Sequence, residues 1–213
     1  MQKHDAQPLK EFVAHLFPRK VRAEDLRLSY TFCLGGLSLT AFAILLLSGL
    51  LLLVYYQPTP ETAFSSILYL ESHVFGGRYI RSLHRLSSHV FLVLVILHAL
   101  RVLLTGAYRK PRELNWLVGF GLLCLCLFEA YTGYLLPMDQ LGFWAAKTGL
   151  TLLESLPFGG VLRELLAPDG IRGGLTLLRF YVVHVVLVPL CMIALTSLHF
   201  YRIRKNRGLL PYL

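Results

Sequence analysis

The chain has 213 residues, of which 55% are hydrophobic and only 15% charged, well under the roughly 25% charge of ordinary soluble domains. That balance excludes a soluble globular protein and places the chain in a bilayer. Its net charge of +9 would suit a nucleic-acid partner, but the basic residues cluster beside apolar segments, so the partner they indicate is the lipid surface.

A transmembrane helix needs ~20 mostly apolar residues, and four segments qualify, at about 31–56, 83–105, 114–136 and 180–203. Lys10, Arg19, Lys20, Arg22 and Arg27 precede the first, together with His4 and His15. The first apolar run follows a long polar or mixed stretch and exceeds the ~7–15-residue core of a signal peptide, so it reads as a retained span. It carries Cys33, Gly35 and Gly49. The loop from 57 to 80 holds Glu61, Glu71, His73 and Arg78. The second span carries His84 and His98, 14 residues apart, and also His89, and it is bracketed by Arg81 and Arg101.

Arg109, Lys110 and Arg112 lead into the third span, which contains Gly119, Cys124, Cys126, Glu129 and Gly133. In the long connection that follows, residues 141–148 and 151–166 mix apolar and polar side chains at helical spacing. Pro157, Gly159, Gly160, Pro168 and Gly170 punctuate it, and short helices lying on the membrane surface are expected there. The fourth span carries His184, Cys191 and His199, and Arg202, Arg204, Lys205 and Arg207 follow or close it. All three basic clusters fall on one side of a four-span chain. The positive-inside rule makes that side the cytoplasm, or the stroma in a plastid. Both termini are then on this n side, and the loops 57–80 and 137–179 are on the opposite p side.

The chemistry lies in the histidines. At ~100° and ~1.5 Å per residue, a 14-residue step returns to within ~40° of the starting face and a 15-residue step to within ~60°, after about 21–22 Å of rise. His84 and His98 therefore share a face of the second span at two depths, and His184 and His199 do the same 15 residues apart on the fourth. Both spans run from the p side, so His84 faces His184 and His98 faces His199. Imidazole pairs of this kind suit six-coordinate haem iron, which leaves no position open to oxygen and favours electron transfer. A single intramembrane His is as readily explained by a hydrogen bond to a neighbouring helix; two matched pairs favour ligation. His89 has no counterpart at its level, and His4, His15 and His73 lie outside the spans, so these four are read as non-ligands.

Gly35 and Gly49, and again Gly119 and Gly133, repeat the 14-residue step of the first His pair, as close approach of a flat macrocycle to two further helices requires. Packing alone also places glycine in membrane helices, but two pairs at the ligand spacing point to the cofactor. Arg81 and Arg101 lie three residues outward from His84 and His98, where they can meet haem propionates; the plainer reading is snorkelling to the headgroups. Cys124, Cys126 and Cys191 sit in apolar helices and read as small hydrophobes. Glu129, ionisable within a span, is a functional candidate. It is expected either to bond beside the p-side haem and tune its potential, or to be a neutral acid bonded to a neighbouring helix.

The segments FCLGG (32–36), IRSLHR (80–85), LHALRV (97–102), KPRELNW (110–116), TGYLLPMDQ (132–140) and LHFYRIRK (198–205) resemble cytochrome b6, the short, split form of cytochrome b in quinol-oxidising b6f and bc-type complexes. The resemblance implies an all-α membrane protein, one haem-binding domain over 1–213, in which a four-helix bundle holds two stacked b haems. It implies an electron-carrying subunit, not active alone, of a quinol:cytochrome c or plastocyanin oxidoreductase. In that scheme quinol bound on the p side, near Pro137 to Trp144, gives one electron to a Rieske iron-sulfur protein and the other to this chain, which delivers it to an n-side quinone. Protons leave on the p side and enter on the n side. The further partners implied are a subunit IV-like chain with the remaining helices, a c-type cytochrome and a dimeric assembly.

The resemblance also implies that Cys33, two residues before Gly35, attaches a third, c-type haem on the n side by one thioether, and that Arg204 lines that pocket. No Cys-x-x-Cys-His motif for ordinary attachment is present, and apart from the resemblance a single Cys at the membrane edge reads as inert packing. The chain departs from the family pattern at Met138, where Trp is usual, and at Glu129, where the family is apolar. These departures favour a bacterial plasma membrane over a thylakoid. A di-haem membrane anchor of a formate dehydrogenase or hydrogenase is the alternative, but it gives no reason for the glycine pairs or the Cys-x-Gly-Gly segment. A transporter would carry no haem.

Overall fold

The computed structural model describes residue 10 and residues 31–205, and among these all regular structure is helical. Four helices are long and apolar enough to cross a membrane: α1 (Leu34–Leu53), α3 (Gly77–Leu104), α4 (Glu113–Leu135) and α7 (Gly174–Lys205). Three shorter ones connect them: α2 (Ala63–His73), α5 (Gln140–Glu154) and α6 (Gly159–Leu166). Large apolar side chains such as Leu47, Leu104 and Leu117 are exposed on the long helices, as expected where the solvent is hydrocarbon and helices close their own backbone hydrogen bonds.

The long helices overrun the expected spans. α3 begins at Gly77 and α7 at Gly174, six residues before the apolar runs that mark them in the sequence. Hydropathy marks where the chain is greasy, whereas backbone hydrogen bonding continues through Arg78 to Arg81 and through Leu175 to Arg179. The 28 residues of α3 rise about 42 Å, more than the ~30 Å hydrocarbon core. α3 stops at Gly106, whose φ of +66° only glycine adopts cheaply. The Gly106 amide donates to the Leu103 carbonyl at 3.2 Å and the Ala107 amide to that of Val102 at 3.1 Å, closing two of the last free carbonyls.

α7 contains a feature the sequence reading did not anticipate, a π-helical turn over Val183–Leu187. A π turn closes i to i+5 bonds and so holds one residue more than the α turn it replaces. Fifteen residues from His184 to His199 therefore cover about the rotation of fourteen in plain α-helix, and the ~60° misalignment of an unbroken helix is reduced toward the ~40° of α3.

Two short helices are present where they are expected at 141–148 and 151–166, with shifted ends. α5 starts where the Asp139 carboxylate accepts the Gly142 amide at 2.8 Å, an N-cap that satisfies one orphan donor. Asp169, four residues before the Gly173 N-cap of α7, satisfies its first turn from outside, accepting from the amides of Leu175 (2.8 Å) and Thr176 (3.0 Å) and the Thr176 hydroxyl (2.6 Å). The Thr176 hydroxyl foremost, and these amides with it, hold its carboxyl below the ordinary value. Helix α2 was not expected, although its buried residues Ala63, Ser66, Ile67 and Leu70 have the i, i+3, i+4, i+7 spacing of an amphipathic helix.

The described residues form two compact units, each drawing on all four long helices: the first comprises 31–40, 91–125 and 191–205, the second 41–90 and 126–190. In the second unit Leu135, Ala146, Leu150, Ala167 and Phe180 form a buried cluster, joining α4 to α5 and α7. The Tyr56 hydroxyl donates to the Leu136 carbonyl at 2.5 Å, and its ring lies 5.3 Å from that of Tyr181. Leu135→Ala removes a side chain only 1% exposed and is expected to cost ~2–5 kcal/mol. Thermal loss of helical circular dichroism in detergent measures it, and an unchanged midpoint would place Leu135 outside the core.

Candidate functional site

Each unit brings two of the four span histidines together. In the second unit His84 of α3 meets His184 of α7, with ring centroids 6.4 Å apart and planes at 77°. In the first unit His98 of α3 meets His199 of α7 at 6.4 Å and 79°. The agreement of two separate pairs has a simple geometric reading. With metal–nitrogen bonds of ~2.0 Å, and about 1.1 Å from ring nitrogen to ring centre, two imidazoles on opposite sides of one iron have centroids roughly 6.2 Å apart. Both pairs are thus spaced for a single iron atom. Among the described residues no group of three or more His, Cys, Asp or Glu could hold a bare metal ion, whereas two axial ligands suffice for an iron whose other four bonds belong to a macrocycle. The residues present fit haem.

Hydroxyl groups orient the rings of the second unit. His84 Nδ1 lies 2.9 Å from Ser48 Oγ, whose own proton goes to the Ile44 carbonyl at 2.7 Å. The serine oxygen is therefore left as acceptor, which assigns the His84 proton to Nδ1 and leaves Nε2 for iron. His184 Nδ1 has the Thr132 hydroxyl at 3.1 Å and the Glu129 carbonyl at 3.2 Å, and Thr132 donates to the same carbonyl at 3.0 Å. A Glu129 carboxyl oxygen lies 3.3 Å from this nitrogen.

The four glycines sit where the sequence spacing put them, but what they face is more specific than expected. A Cβ on Gly35 would stand 3.3 Å from the His98 ring, on Gly49 3.3 Å from His84, on Gly119 3.2 Å from His199 and on Gly133 2.6 Å from His184. Each glycine thus admits one imidazole against the backbone of a neighbouring helix.

Two residues missed in the sequence reading carry a recognisable signal in hindsight. Ser48 and Thr132 immediately precede Gly49 and Gly133, whereas Leu34 and Val118 precede Gly35 and Gly119. A hydroxyl-glycine dipeptide in both flanking helices marks the second unit's site alone.

In the first unit a cleft is lined by His98, Arg101, Arg112, Asn115, Gly119 and His199, among others. Arg101, Arg112 and Asn115 are buried, so this site has cationic and amide groups ready for an anionic edge. Arg112 and Asn115 were not anticipated as site residues. Arg81, by contrast, forms an ion pair with Glu71. Arg204 lies in the last turn of α7. Cys33 is exposed, with Phe32 and Cys33 at φ +49° and +52° just before α1, and its carbonyl accepts the Leu37 amide at 2.9 Å. Met138 has φ +48°, in the turn leading to the Asp139 cap. Among the residues read as non-ligands, His73 stacks on Tyr69 at 5.0 Å and His89 is exposed; His4 and His15 lie outside the described residues. Cys126 is buried, and Cys124 and Cys191 are exposed.

Four apolar spans with two facing imidazole pairs define a multi-span membrane cytochrome. The chain belongs to the cytochrome b/b6 family: residues 21–207 match the family described as cytochrome b/b6/petB. It is 46% identical over 178 residues to cytochrome b6 of Heliobacterium mobile, covering 83% of this chain and 84% of the relative. It is 38% identical over 200 residues to the menaquinol:cytochrome c reductase cytochrome b subunit of Bacillus subtilis, covering 92% and 89%. Among solved structures it matches a chain of a hyperthermophilic respiratory complex III, with a TM-score of 0.78 and 29% identity over 94% of this chain. This chain spans about half (53%) of that one.

The glycine contacts rank the cost of a methyl group. Gly133→Ala, at 2.6 Å, must displace the His184 ring, whereas Gly35→Ala and Gly49→Ala, at 3.3 Å, ask for a few tenths of an ångström. Gly133→Ala is expected to lower bound haem and the unfolding midpoint more than either, measured side by side by absorbance and thermal melts. Equal losses in all three would contradict the ranking.

Proposed function

We propose that this chain is the transmembrane electron-transfer subunit of a quinol-oxidising complex, with one b haem held by His84 and His184 and a second by His98 and His199. The observation that carries this reading is the shared geometry of the two pairs, each spaced for one iron. Haem bound in this way supplies a one-electron carrier. His84, His184, His98 and His199 would hold the haems, and Ser48 and Thr132 hold the rings of the second unit in fixed orientation. Family membership and the names of the relatives support quinol, and menaquinol in particular, as the electron source, and favour this reading over a membrane anchor of a formate dehydrogenase or hydrogenase.

Several finer assignments rest on the same reading. The basic clusters support both termini on the n side, and the departures at Met138 and Glu129 favour a bacterial plasma membrane, so His84 and His184 would serve the p-side haem. The quinol pocket uses Pro137 to Trp144, where Phe143 packs edge-on to Trp144 at 5.6 Å and Arg172 lies over the Phe143 ring at 4.7 Å. Arg101, with Arg112 beside it, meets the propionates of the n-side haem. Arg81 does so at the other site while shared with Glu71. The exposed Cys33 thiol, two residues before Gly35, holds a third, c-type haem, with Arg204 lining its pocket. A Rieske protein, a subunit IV-like chain and a c-type cytochrome complete a dimeric assembly in which electrons leave this chain to an n-side quinone.

Pyridine haemochrome analysis of the purified complex, with a haem stain of the denatured subunit, tests this reading. Two b haems per chain are expected in the wild type and one in His184→Leu; no change in that variant would remove His184 as a ligand. Haem that stays with the denatured chain and is lost in Cys33→Ala establishes the thioether. Haem absent from the denatured wild-type chain would leave Cys33 without that role.

A further inference from the structure

We propose that Glu129 sets the reduction potential of the haem held between His84 and His184, by keeping a carboxyl oxygen against the Nδ1 face of His184. The proposal rests on the ligand assignment above and adds a positioning residue to it. Glu129 lies within the apolar span α4, where an ionisable side chain is costly and needs a compensating role. Its Oε1 is 3.3 Å from His184 Nδ1, and its main-chain carbonyl is 3.2 Å from the same atom. Its other carboxyl oxygen is buried and has no hydrogen-bond partner. One residue thus places two oxygens near one imidazole nitrogen, the carbonyl in hydrogen-bond geometry and the carboxyl oxygen at 3.3 Å. Among the described residues no carboxylate pairs with His84, His98 or His199; the counterpart at His84 is the Ser48 hydroxyl.

The chemistry of such an arrangement is general. Oxygen acceptors on the far nitrogen of a ligating imidazole draw its proton away and make the ring a stronger donor to the metal. A stronger donor favours the more positive, oxidised iron, which lowers the potential at this site and leaves the other unchanged. Thr132 and the Glu129 carbonyl remain as acceptors when the side chain changes, so the ring stays oriented and the substitution isolates the carboxyl group.

The experiment is a potentiometric titration of the purified complex followed in the haem absorbance band, with low-temperature electron paramagnetic resonance of the oxidised state, on wild type, Glu129→Gln and Glu129→Leu. In Glu129→Gln one of the two b-haem components is expected to rise in midpoint potential by about a tenfold change in its reduction equilibrium, about 59 mV for one electron. Its low-spin signal shifts and the second component stays in place. Glu129→Leu moves the same component at least as far. An unmoved or lowered potential in Glu129→Gln with both haems present overturns the proposal, as does an equal shift of both components, which indicates a general disturbance. If Glu129→Leu loses haem, the isosteric Glu129→Gln variant decides. A wild-type complex without two bis-histidine haems would instead sink the ligand assignment.

Discussion

The facing imidazole pair is the constraint on which the other features depend. Two rings with centroids 6.4 Å apart require the α3 and α7 backbones to stay far enough apart for an iron atom, and the rings then extend toward the helices on either side. Those neighbours must give way, and they do so by omitting side chains at Gly35, Gly49, Gly119 and Gly133. The same requirement accounts for the π turn at His184. α7 has one residue more between its histidines than α3, and the wider turn absorbs it with little loss of facing.

The two sites are alike in iron spacing and different in surroundings. Hydroxyls hold both rings of the second unit, and a carboxyl group approaches one of them. The first unit has arginines and an asparagine in a cleft instead. Identical ligands in different electrostatic settings give different affinities for an electron, which is what directed transfer between two like cofactors requires. The residues that distinguish the two sites are thus ones that surround the imidazole pairs rather than the pairs themselves.

Much of this was legible in the sequence because the membrane simplifies the code. Apolar runs gave the four long helices, and helical repeats of His and Gly gave two sites at two levels. Less was legible where the signal depends on tertiary geometry. The π turn has no compositional mark, and helix ends escaped because polar first turns lie outside the apolar runs. Ser48 and Thr132 were passed over because a hydroxyl residue in an apolar helix ordinarily bonds its own backbone, as Ser48 also does; only the approach of His84 gives it a second task. Helix α2 was missed for a different reason: its apolar spacing is regular, but the run is too short to stand out beside four spans.

The outward apolar surface bears on how such a chain holds together. Its long helices expose leucine and valine over most of their circumference, while the facing imidazoles and glycines lie turned inward between them. Without a macrocycle, the space between the imidazoles of each pair is bounded by imidazoles and glycines, which contribute little apolar packing. A group that binds the folded chain there would stabilise it by mass action, so cofactor binding would be a folding contribution as well as an activation step.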